Sequence, residues 1–83
     1  MKRTMQTLQR PRMIERLTER EYQILCRLAD GLSNREIASA VHVSEDGVKY
    51  HLKNIYGKLH ANGRLHAIRI SLDAGLLSLW QAS

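Results

Sequence analysis

The 83-residue chain predicts an all-α domain of four helices. Two observations carry this. Apolar residues recur at three- and four-residue spacing with no alternating strand pattern, and capping residues and glycines punctuate the periodic segments. No internal repeat or low-complexity tract interrupts them.

The first helix opens on "TERE", where Thr18 stands three residues before Glu21 in a capping box. Tyr22, Leu25, Leu28 and Ala29 then form an apolar stripe running toward Gly31, so this helix spans about Glu19 to Asp30. "SNRE" repeats the device with Ser33 and Glu36 and opens a short helix through Ile37, Ala38 and Val41. A turn at His42 and Val43 follows. The third helix starts after Ser44, with Glu45 and Asp46 in the first turn where the helix dipole favours acids. It runs to about His60, and Val48, Leu52, Ile55 and Leu59 mark its inward side. "HANGR" breaks it before a fourth helix, Arg64 to Ala74, closed by Gly75. Trp80, in the tail "LLSLWQAS", is read as a cap over the fourth helix rather than an exposed anchor. The chain thus divides into a basic tail or linker (1–16), a helical domain (17–76) and a C-terminal tail (77–83).

Size points to a binding module, because a domain this small closes a core but leaves little room for a deep substrate cavity. No apolar run is long enough to span a bilayer, and the basic N-terminus lacks the apolar stretch of a signal peptide, so a cytosolic protein without membrane contact is expected. Cys26 has no second cysteine to pair with and falls in the apolar pattern, as a small core residue. His42, His51, His60 and His66 never stand three or four apart, so no compact zinc set forms. A phosphate loop and a nucleophile with its base are also missing. The expectation is a domain that is not an enzyme and takes no metal, cofactor or small-molecule ligand. Of the net +5, the segment to Arg16 supplies +4 through Lys2, Arg3, Arg10, Arg12 and Arg16 against Glu15. A case for nucleic acid therefore rests on where single charges stand, with the tail read as a solvated linker before a polyanion-binding arm.

A short helix, a tight turn and a longer helix with a polar outer face is the geometry that lets the second helix of the pair lie in a DNA major groove. At 100° per residue Tyr50 lies nearly opposite the apolar stripe, flanked by Lys49, Lys53 and Asn54. Lysines suit guanine acceptors or phosphates, and Asn54 suits an adenine edge or a phosphate. From periodicity alone, this face and an ordinary solvated helix face stand level.

The blocks "LTEREYQIL", "LADGLSNREIA", "VSEDGVKYHL" and "IYGKL", followed by Arg64 and Ala67, resemble the LuxR-type helix-turn-helix DNA-binding domain, also called the FixJ, NarL or GerE type. The resemblance spans Leu17 to about Leu72 with the blocks in order and at the family's spacing. It implies a bacterial transcription regulator that binds double-stranded DNA in the cytoplasm at the nucleoid. Its third helix would be the recognition helix, and a homodimer on DNA would pair through the fourth helix, with RNA polymerase as a protein partner. Carried over by position, Lys49, Tyr50 and Lys53 read bases, while Asn34, Arg35, Lys58 and Arg64, with Asn54, hold phosphate. Leu65, Ile68 and Leu72 are the apolar positions of the fourth helix that serve pairing. Glu21 and Glu36 are caps or ion-pair partners.

Three departures qualify the carry-over. Gly47 stands where the family usually has Thr, Tyr50 is bulkier than the small or β-branched residue common at its position, and Gly63 replaces Asn or Ser and leaves Asn62 to serve as N-cap. The rivals are a sigma-type promoter-reading domain, which ends soon after its recognition helix, and a protein-docking adaptor on the same fold.

Overall fold

The computed structural model describes residues 15–77, and local side-chain chemistry starts three of the four helices among them. The expectations for most of the N-terminal tail and for Trp80 fall outside the described residues. Helix α1 is Glu19–Ala29 and α2 is Asn34–Val41, and both open on a complete capping box. The Glu21 N–H donates to Thr18 Oγ1 (3.1 Å) and the Thr18 N–H to Glu21 Oε1 (2.9 Å); Glu36 and Ser33 repeat the exchange at 3.1 and 2.8 Å. Each box satisfies donors that a helix end leaves without partners. Helix α3, Glu45–Leu59, opens on Ser44, whose Oγ accepts the Gly47 N–H at 2.9 Å. Helix α4, Arg64–Asp73, differs: its N-cap is Gly63 and no side chain caps it. Asn62 does not take that role. Its backbone N–H donates instead to His66 Nδ1 (3.0 Å), so an imidazole one turn into the helix ties down the entering chain.

All four helices end alike. Past each end a residue sits in the left-handed region (Gly31, φ 89°; His42, φ 59°; His60, φ 60°; Gly75, φ 81°), and the next N–H turns back onto a carbonyl in the last turn. These bonds are Leu32 to Arg27 (3.2 Å), Val43 to Ala38 (3.0 Å), Ala61 to Tyr56 (2.9 Å) and Leu76 to Ser71 (2.8 Å). Such closures satisfy orphan carbonyls and usually use glycine. Here two of the four use histidine, a residue that tolerates the region better than most.

Helix α3 packs on each of the other three helices, as does α1, whereas α2 and α4 lie apart on either side of them. The core comprises Ile24, Leu25 and Leu28 of α1, Ile37, Ala38 and Val41 of α2, Val48, Leu52, Ile55 and Leu59 of α3, Ala67 of α4, and Leu77. The stripe of α3 is the inward side that its periodicity predicts. On α1 the buried side is shifted: Ile24 is fully buried while Tyr22, Ala29 and Cys26 pack only partly against the core. Leu77 carries the core one position past the expected domain end at 76.

Leu52, at 5 % exposure, belongs to this core, so truncation leaves a cavity that the small domain has few residues to refill. Leu52→Ala is expected to lower the unfolding free energy by roughly 2–5 kcal/mol, read from urea denaturation followed by helical circular dichroism.

Candidate nucleic-acid interface

Burial of one side of α3 decides what its other side presents. Val48, Leu52, Ile55 and Leu59 are buried, while Lys49, Tyr50 and Lys53 are exposed and Asn54 is half-buried beside them. The four-residue step between Lys49 and Lys53 puts two ammonium groups one turn apart, with Tyr50 to one side of them at 63 % exposure. The half-buried His51 stands next to Tyr50, and the two rings meet edge to face with centroids 5.7 Å apart at 66°. At the start of α3 a Cβ on Gly47 would come within 3.1 Å of Ser44 Oγ, so the glycine leaves the capping hydroxyl unobstructed.

A second group forms around the start of α2. Arg64, the first residue of α4, donates through Nη2 to Asn34 Oδ1 (2.9 Å) and through Nη1 to the Leu32 carbonyl (3.2 Å). One guanidinium thus spans from α4 to α2, two helices that do not otherwise pack together. It brings Asn34 and Arg64, 30 positions apart in sequence, to the N-terminal end of a capped helix, where the helix dipole favours anions. Arg35 beside them is exposed.

Lys58 is not the open cation that its place in the sequence suggests. Its Nζ lies 2.7 Å from Glu21 Oε1, the two side chains being 25 % and 6 % exposed. Its carbonyl accepts the backbone N–H of Glu15 at 3.1 Å. Lys58 therefore fastens the end of α3 to the start of α1 and to the segment entering it. Burial alone would push the Glu21 carboxyl up; hydrogen bonds from the Lys58 ammonium and the Thr18 N–H, with the Lys58 charge, outweigh it and hold the carboxyl below its usual range. The reading of Glu21 as cap or ion-pair partner fits both contacts.

The sequence reading passes over Arg20. From the exposed first turn of α1 its Nη1 donates to the Val41 carbonyl at 2.6 Å, closing the last turn of α2 just before the chain reverses into α3. Its position between a cap and a box glutamate gives no local sign of a partner 21 residues away.

On α4, Leu65 is 79 % exposed and Ile68 and Leu72 are half-buried. The three lie within about 60° of one another and turn away from the buried Ala67 and Ser71. An open groove of about 390 Å³ between the segment before α1 and the end of α4 is lined by Arg16, Leu17, Tyr22, Ala74 and Leu76 among others, and it lies apart from Lys49, Tyr50, Lys53, Asn34, Arg35 and Arg64.

A capped helix pair closed by a tight turn, with the longer helix presenting cations opposite its buried stripe, defines a helix-turn-helix domain. Residues 15–71 match the family described as bacterial regulatory proteins, luxR family, and the chain belongs to it. It is therefore a DNA-binding domain for transcription regulation. Among its relatives are the response regulator proteins VraR of Staphylococcus saprophyticus, 44% identical over 69 residues, and of Staphylococcus aureus, 43% identical over 68 residues. The matches cover 83% and 82% of this chain and 33% and 32% of those proteins, so the chain spans about a third of the length of the curated relatives it matches. A solved structure, that of the response regulator ChrA in a heme-sensing two-component system, is 40% identical with a TM-score of 0.73. The match covers 89% of this chain and 36% of that one.

The Glu21 contact makes an acid-side prediction. Because the folded carboxyl titrates below its unfolded value of about 4.3, its contribution to stability is full above that value and is lost as pH falls through the lower folded one. The stability difference between the native chain and Glu21→Gln should therefore shrink between about pH 4.3 and the acid end of a urea-denaturation series. At pH 7, Lys58→Ala should cost on the order of 1–3 kcal/mol by leaving a shielded carboxylate without its cation.

Proposed function

We propose that α3 is the recognition helix and enters the major groove of double-stranded DNA, with Lys49, Tyr50 and Lys53 against base edges. The observation that carries this reading is the pair of exposed ammonium groups one turn apart, held opposite a fully packed stripe, so that their direction is set by the core. Amine donors on this face suit the O6 and N7 acceptors of guanine. Asn34, Arg35 and Arg64 hold one phosphate region at the start of α2, and Asn54 holds another from the flank of α3. Arg35 is the strongest of these, since its side chain is exposed, while Arg64 is already directed by Asn34. Lys58 contributes less than an open lysine: an ammonium has three donors and can serve Glu21 and a phosphate together, but its charge is partly neutralised.

Two copies pair through Leu65, Ile68 and Leu72 of α4 on a two-fold operator. The exposure of Leu65 supports this, and the half-burial of Ile68 and Leu72, which also serve the core, limits the pairing to a weak one away from DNA. The regulator acts in the bacterial cytoplasm at the nucleoid, with RNA polymerase as a further partner. The packing of α4 on α1 and α3 favours this reading over a sigma-type domain that ends at its recognition helix.

Selection of bound sequences from a random duplex pool tests DNA binding and supplies the site. On the selected duplex Lys49→Ala and Lys53→Ala should each cost on the order of 1–3 kcal/mol and much less on scrambled DNA. Arg35→Ala should weaken both alike and reduce the salt slope by about one. Unchanged preference among sequences in both lysine variants would make this helix a phosphate or protein-docking surface. For pairing, Leu72→Asp should impair two-site binding more than folding, compared by electrophoretic mobility and thermal unfolding; equal loss of both would assign Leu72 to the core.

A further inference from the structure

Tyr50 is one of only two large apolar side chains that stand exposed among the described residues, and the only one on α3. Neighbouring residues on a helix diverge by about 100°. The rings of Tyr50 and His51 nonetheless meet at 5.7 Å, edge to face, so the tyrosine leans along the helix onto its neighbour. His51 is half-buried at the margin of the packed stripe, which makes it the fixed member of the pair. The outcome is an aromatic surface beside the two lysines, turned toward the Asn54 side of a face otherwise built from cations and an amide.

Hydrogen-bond donors and acceptors fill most of the major-groove edge of DNA, and its one apolar group is the C5 methyl of thymine. The ammonium groups of Lys49 and Lys53 have nothing to offer that methyl, and their flexible stems present far less apolar surface to it than an aromatic ring. Resting on the reading that α3 enters the major groove, we propose that Tyr50 selects thymine through its methyl group, with His51 as the positioning residue that keeps the ring directed at it.

Replacing thymine by uracil removes the methyl and leaves the hydrogen-bonding edge intact, so the test uses the selected duplex with each thymine changed in turn to uracil. At one or more positions the native domain should bind the uracil duplex about 3- to 5-fold more weakly, the worth of one buried methyl. Tyr50→Ala should bind both duplexes alike, and Tyr50→Phe, which keeps the ring, should retain the ratio. His51→Ala should lower the thymine-to-uracil ratio and His51→Phe, which restores a ring edge, should recover it, with thermal unfolding of each variant measured alongside. Indifference of the native domain to uracil at every position, or a ratio that persists in Tyr50→Ala, would overturn the proposal. So would a ratio lost in Tyr50→Phe, which would place the contact on the hydroxyl. A full ratio in His51→Ala would remove His51 from it. Lysine variants that still alter sequence preference while uracil has no effect would sink this inference alone; lysine variants without effect would sink the groove reading beneath it.

Discussion

The stripe of Val48, Leu52, Ile55 and Leu59 is the constraint on which the domain depends. Helix α3 packs on each of the other helices, so the core is largely a set of surfaces gathered around this one side. Opposite it the chain carries Lys49, Tyr50 and Lys53. The apolar stripe therefore does two things through one helical period: it closes the core and it sets the direction of the outward side chains. Any change in the stripe alters stability and aim together, whereas changes on the outer face leave packing nearly untouched.

Around this helix the polar contacts of Arg20, Arg64 and Lys58 are placed at ends. Arg20 closes the last turn of α2, Arg64 ties the start of α4 to the start of α2, and Lys58 ties the end of α3 to the start of α1. Each joins an element boundary to a distant one, where backbone groups or a carboxylate lack partners of their own. Apolar packing fixes how the helices cross, and these bonds fix where each begins and stops.

The elements and the family were readable in the sequence because capping is local chemistry. Thr18 with Glu21, Ser33 with Glu36, and Ser44 sit within three residues of the groups they satisfy, and the structure starts α1, α2 and α3 at those points. Less was visible where the deciding partner is remote or unusual. Lys58 and Glu21 are 37 positions apart, and nothing in "IYGKL" distinguishes an ion-paired lysine from an open one. The His66 contact to the Asn62 N–H replaces an ordinary N-cap, so a search for asparagine or serine ahead of α4 looks in the wrong place. His42 and His60 stop α2 and α3 in a conformation that sequence reading assigns to glycine. Which exposed side chains meet DNA is a property of the complex, and the free chain shows only their directions and partners.

The bond from the Glu15 N–H to the Lys58 carbonyl fixes where the polypeptide enters the domain. Lys58 lies nine residues beyond Lys49 on the same helix, about 13 Å along its axis. The doorway of the chain and the face of Lys49 and Tyr50 are therefore at separate stations on one rigid rod. The anchoring of Glu15 and the aim of that face are thus borne by one helix, and whatever disturbs its course disturbs both.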